Sequence, residues 1–205
     1  MNKLITLCIC LLFSLSSLCL ANPAAAPGTA NNQPLAQHKK IVGIFFEAPA
    51  TYATNETVQS MVIGNANFFF PSRRFSLIPL DTTNMAIKEY RTKNHLSNVY
   101  SPPPLDRVAI QKMAKELNCD YAFFITVTKG LPGMSAGFSS ATYSSSIICD
   151  IKLLNVETGN YVISKQMVRD GSSDTIRAGI PVYESAYFNA LETAMKELTL
   201  DTSML

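Results

Sequence analysis

Apolar and polar positions change rhythm along this chain, and each rhythm predicts an element. Residues 41–46 are apolar without alternation, apart from Gly43, which predicts a short strand covered on both faces, as a central strand would be. Val58, Met61, Val62, Asn65 and Phe69 then recur at threes and fours. That spacing predicts a helix, with Asn55 as its cap and Phe70-Pro71 as its end. A second strand over residues 74–80 is interrupted by Pro79, which places its end at a sheet edge or exit. Met85, Ile87 and Tyr90 predict a polar helix over residues 83–93, and Ser101-Pro102-Pro103-Pro104 reads as a stiff connector.

The clearest patterning lies between residues 106 and 169. Leu105, Ala109, Met113 and Leu117 fall on one line spaced by four, a helix with Asp106 at its positive end and Asn118 to close it. Tyr121, Phe123, Ile125 and Val127 alternate against Ala122, Phe124, Thr126 and Thr128. Ile147, Cys149, Ile151 and Leu153 alternate in the same way against Ile148, Asp150, Lys152 and Leu154. Two period-two segments predict an antiparallel hairpin with one better-buried face. Between them the Gly- and Ser-rich residues 130–145 read as a loop, Gly159 as the residue of a tight turn, and residues 161–168 as the last strand. Tyr183, Tyr187, Ala190, Leu191, Ala194 and Leu198 align on a closing helix over residues 181–198. The order is β-α-β-α-α-β-β-β-α. It predicts an α/β sandwich of two or three layers with a mixed sheet, whose last three strands form an antiparallel meander.

The amino terminus concerns destination rather than fold. Met1-Asn2-Lys3, an apolar run over 4–13 and smaller, more polar residues over 14–21 follow the layout of a secretory signal, with cleavage expected between Ala21 and Asn22. The competing reading is a retained anchor, since residues 4–20 reach the lower limit of about 17 for a span. Lipidation would need a small residue before the modified cysteine, whereas Cys10 follows Ile9 and Cys19 follows Leu18. Residues 22–38, rich in Pro, Ala and Asn and without periodicity, are expected to form a disordered leader. A single α/β domain is expected over 39–200 and a tail over 201–205.

Charge and cysteines narrow the function classes. Cleavage removes Lys3 and no acid, leaving sixteen basic and fifteen acidic side chains. That balance argues against nucleic-acid binding, which draws most of its affinity from phosphate neutralisation. Arg73-Arg74 and the mixed run 88–93 are expected to be solvated surface. Only Cys119 and Cys149 would remain. With Cys149 opposite Thr126, the hairpin register separates them by about 20 Å, beyond disulfide reach. Two buried free thiols are expected, and without a histidine they close no zinc site.

Candidate chemistry is thin. Gly133-Met134-Ser135-Ala136-Gly137 matches the G-x-S-x-G nucleophile elbow, but a strand entry rather than a helix follows Ser135, and His38 and His95 both precede it. Glu47 and Asp81, after the first and second strands, could be posed as an acid pair; turn and cap roles are the expectation. No phosphate-binding or metal-binding spacing is present, and no cofactor is expected.

The helix end Met113-Ala114-Lys115-Glu116-Leu117-Asn118-Cys119-Asp120-Tyr121, the apolar strand after it, and Ile151-Lys152-Leu153-Leu154-Asn155-Val156-Glu157-Thr158-Gly159-Asn160-Tyr161-Val162 together resemble a bacterial envelope domain. It is shared by the curli-secretion lipoprotein (CsgG-like) family, the amino-terminal domain of the Tol translocation protein (TolB) and outer-membrane activators of peptidoglycan synthases (LpoB-like). The resemblance covers residues 39–198 and rests on a helix end, a turn and element order rather than on reactive groups. It implies a periplasmic or envelope assembly role exercised through protein contacts, without catalysis. Two departures matter: no lipidation motif precedes a cysteine, and residues 130–145 are too few for two membrane strands of about 9–11 residues each. A pore is therefore not expected.

The expected function is that of a non-enzymatic exported accessory protein in the periplasm or envelope, with release from the cell left open. Its partners would be envelope proteins, self-association being open, with no nucleic acid and no stable membrane span after cleavage. Residues 130–145 are the candidate contact loop, through Met134, Phe138 and Tyr143. The alternatives are a soluble periplasmic binder of a small ligand or glycan and a serine hydrolase acting through Ser135.

Overall fold

The computed structural model of the 205-residue chain describes residues 38–97, 103–136, 141–174 and 182–205. The expected signal, its cleavage point at Ala21 and Asn22, leader residues 22–37 and Phe138 lie outside the described residues. One sheet has the order β2-β1-β3-β4-β5. Strands β1 (Lys40–Glu47), β2 (Phe75–Ile78) and β3 (Tyr121–Ala136) run parallel. Strands β4 (Ala141–Asn155) and β5 (Tyr161–Ser173) complete an antiparallel meander with β3. The helices are α1 (Ala50–Ala53), α2 (Glu56–Phe69), α3 (Leu80–Lys93), α4 (Arg107–Glu116) and α5 (Val182–Glu197). The fold is thus the predicted α/β sandwich with a mixed sheet, plus the short α1 that no periodicity announced.

Alternation along the strands divides the core into two layers. Val42, Ile44 and Phe46 of β1, Phe123, Ile125 and Val127 of β3 and the predicted face of β4 pack with α2 and α5. Phe45, Ala122 and Phe124 point the other way, onto Ile87 of α3 and Ala109, Ile110 and Met113 of α4. β1 is therefore the doubly covered central strand its continuous apolar run implied. Coverage is uneven beyond it: the α3/α4 layer takes Leu154 from β4 and nothing from β5. Thr128, Gln166 and Val168 accordingly remain exposed on that side.

Local chemistry fixes the ends of the elements. The Asn55 side-chain oxygen accepts from the Thr57 and Val58 amides at 3.0 and 3.1 Å, and an Asp106 carboxylate oxygen accepts from the Ala109 amide at 2.7 Å. Each cap satisfies donors that have no intrahelical acceptor and contributes about 1 kcal/mol. Asn118 ends α4 at φ 54° and Gly159 turns the last hairpin at φ 71°; both take the left-handed conformation, the first at the predicted helix end and the second at the predicted turn. At the start of β3, the Ile41 amide donates to Asp120 Oδ2 at 2.8 Å while the Asp120 amide donates to the Ile41 carbonyl at 2.8 Å, which locks the β1–β3 register. Gly171 lets β5 approach α5 so closely that a Cβ there would lie 2.5 Å from the Ala190 backbone nitrogen.

Three expectations need correction. Residues 130–136 and 141–145 are not a loop; β3 and β4 continue through them with paired positions from Pro132↔Ser145 to Ala136↔Ala141. Cross-strand pairing outweighs the weak strand propensity of Gly and Ser. Cys149 lies opposite Val127 rather than Thr126, because the register closes one residue further on. Both thiols are free and buried as expected, and they sit in opposite layers. Finally, the charged runs are not wholly solvated. Arg91 keeps 22% of its side-chain surface, ion-paired with Glu47, and the Arg74 guanidinium stacks over Phe75 at 5.2 Å.

Candidate functional site

β1 ends opposite Thr126, so residues 127–136 of β3 run on with no neighbouring strand on that edge among the described residues. With β4, and with β5 as far as Ser173 opposite Tyr143, they form an antiparallel arm beyond the parallel half of the sheet. The ladder is irregular between Lys129 and Pro132. A bulge inserts residues that the partner strand does not match, and here it leaves Leu131 90% exposed. Gly130 fits because a Cβ would meet the Ser146 side chain, and Pro132 fits because an edge strand needs no further donor. Met134, further along the same strand, is 59% exposed.

The base of the arm is held by a compact polar cluster. Lys129 Nζ lies 2.6 Å from Glu184 Oε1 of α5, and it stands over the rings of Tyr187 at 4.6 Å and Tyr52 at 5.1 Å. The Tyr52 hydroxyl donates to Glu184 Oε2 at 2.9 Å, and the Tyr187 hydroxyl donates to the Gly130 carbonyl at 2.6 Å. Each polar group therefore meets a partner of complementary charge or dipole. Burial, reinforced by the hydrogen bond to Glu184, pushes the Tyr52 hydroxyl above its ordinary value. It acts as a neutral donor, not as a base. The cluster fixes the direction in which the arm leaves the sheet.

The predicted contact residues divide accordingly. Met134 points to solvent on the arm. Tyr143 instead packs edge-to-face on Tyr183 of α5, ring centroids 4.7 Å apart, so it braces the arm. Leu131, Lys129 and Glu184 were not singled out by the sequence. Glu184 lies 55 positions from Lys129, and no local spacing links them; the Tyr183 and Tyr187 pair one turn apart was the legible part of this contact.

The described residues do not bring the candidate catalytic groups together. Ser135 lies in extended backbone opposite Thr142, not on a strand-to-helix turn. His38 precedes β1 and His95 follows α3 at φ 57°. Glu47 faces Arg91 and the Leu105 amide rather than Asp81, which stands in the first turn of α3. Burial, with Asp120 and Asp150 beside them, pushes the Cys119 and Cys149 thiols up to about 11 and about 12. Both are therefore protonated and poorly nucleophilic at neutral pH. Among the described residues no helix is long and apolar enough to cross a membrane.

No protein-family model matches the chain, and no curated protein matches its sequence. The chain is similar at low identity to several solved structures. Lipoprotein GNA1162 from Neisseria meningitidis is 16% identical over 69% of this chain and 89% of its own, with a TM-score of 0.39. The hypothetical protein CT253 from Chlamydia trachomatis is 10% identical over 77% and 91%, with a TM-score of 0.37. The LpoB C-terminal domain from Escherichia coli is 14% identical over 64% and 83%, with a TM-score of 0.31. Likeness of this degree leaves the role of the chain to its own residues.

Proposed function

We propose that this protein is an exported, non-enzymatic accessory factor of the cell envelope that works by docking on another envelope protein. The observation that carries this reading is the arm, where Leu131 and Met134 present apolar side chains on a strand pair whose base is tied down by Lys129, Glu184, Tyr52 and Tyr187. Exposed apolar groups on a rigid mount lose little conformational entropy on binding, which favours an anchor role at an interface. The signal-like residues 1–21 support export, with cleavage proposed between Ala21 and Asn22.

The test is crosslinking in the native envelope with residues 131–145 replaced by a two-residue turn. The expected result is loss of specific adducts while the remaining domain keeps its thermal transition. An unchanged set of adducts would remove the arm from the contact surface. Stoichiometric fluorophosphonate labelling that disappears in Ser135→Ala would overturn the non-enzymatic reading.

A further inference from the structure

A cavity of about 370 Å³ opens at the carboxyl end of β1, between the β1–α1 connection and α3. It lies at a change of direction in the fold. From β1 the chain crosses by α2 on one face to reach β2, then by α3 and α4 on the other face to reach β3. In open α/β sheets the crevice at such a point, outside the carboxyl ends of the strands, is the ordinary place for a small ligand.

The walls state what would fit. Phe46, Ala53, Ile87 and Leu96 give an apolar lining, and Lys88 and Arg91 bring two cations against the single carboxylate of Glu47. Glu47 is spent: one oxygen takes Arg91 and the other accepts the Leu105 amide at 3.2 Å. Arg91 is not. Its Nη2 meets Glu47, while its buried Nε has no partner among the described residues. That Nε is sealed from solvent, so a ligand would meet the part of the Arg91 side chain, 22% of it, that stays exposed. Lys88 has no acidic partner among the described residues either. One surplus positive charge, a partly unpaired planar fork and an apolar floor match an anion carrying one charge and a short hydrocarbon tail.

We infer that this cavity binds a small monocarboxylate with an apolar tail, its carboxylate at Arg91 and Lys88 and its tail against Phe46, Ile87 and Leu96. The arm lies elsewhere, so this inference does not depend on the docking role. The test is a titration of the isotope-labelled exported protein with hexanoate to about 10 mM, followed by amide chemical shifts, an affinity of about 1 mM being sufficient for saturation. Saturable shifts are expected at Ala48, Asn84 and Thr92. Hexanamide, equal in size and neutral, should bind about tenfold more weakly, and Arg91→Gln should weaken hexanoate by a similar factor. Ala53→Leu, which fills the cavity and touches no charge, should abolish the shifts; Met134→Ser should leave them intact. No saturable shift in the unaltered protein, equal binding of the amide, or binding that survives both Arg91→Gln and Ala53→Leu would each overturn the inference.

Discussion

The two halves of the sheet are built for different purposes. β2, β1 and the first residues of β3 run parallel, and parallel strands need crossovers that bring helices onto both faces. The far part of β3 with β4 and β5 is joined by hairpins that need no helix, so α5 covers one face and the other stays open. In the first half both faces carry buried side chains, Phe123 and Ile125 on one and Ala122 and Phe124 on the other. Among the described strands, exposed apolar side chains lie in the second half, Leu131, Met134 and Val168 among them. The contrast explains how one sheet can carry both a rigid body and a presented arm.

Changes in the doubly covered half should cost the most. Phe123 stacks edge-to-face on Phe69 and Phe70 at 6.4 and 5.4 Å, and Phe123→Ala is expected to remove about 4 kcal/mol by chemical denaturation. Gly171→Ala should cost about 2 kcal/mol, because the new Cβ must push β5 away from α5. Asn55→Ala should cost about 1 kcal/mol through the lost cap. Leu131→Ser combined with Met134→Ser should change stability by less than about 0.5 kcal/mol while removing the envelope adducts. A large loss of stability in that last pair would place the arm's tip in the core and erase the contrast.

Alkaline pH probes the core layers through the thiols. Both folded values, about 11 for Cys119 and about 12 for Cys149, lie above the ordinary value of 9.0. The unfolded chain therefore releases these protons first. Stability should be complete below about pH 8.5 and decline as pH rises through the folded values. Urea midpoints measured against pH check this, and a midpoint that stays flat to pH 11 would contradict it.

The sequence made the fold readable wherever one short-range rule decided the outcome. The alternation of Tyr121 to Val127 against Ala122 to Thr128 assigned both faces of β3, Asn55 and Asp106 announced their helices, and Gly159 announced its turn. Legibility failed where a distant partner decided. Pro132, Gly133, Ser144 and Ser145 have the composition of a loop, and only their pairing across the hairpin makes them strand. Leu131 could not be marked as presented before the bulge was known. Arg91 looked like solvated charge within a mixed run, because the Glu47 it meets lies 44 positions away. The Cys149 register slipped by one position for a related reason: the connection at 137–140 gives no local signal for where the hairpin closes.

The docking role of the arm is tested most directly by photo-crosslinking residues placed singly at Leu131 and Met134, and at Val108 and Phe68 as apolar controls of comparable exposure on the helical body. In the native envelope the account predicts a discrete protein adduct from Leu131 and Met134 and none from Val108 or Phe68. Adducts from the helical positions alone, with the arm silent, would contradict it.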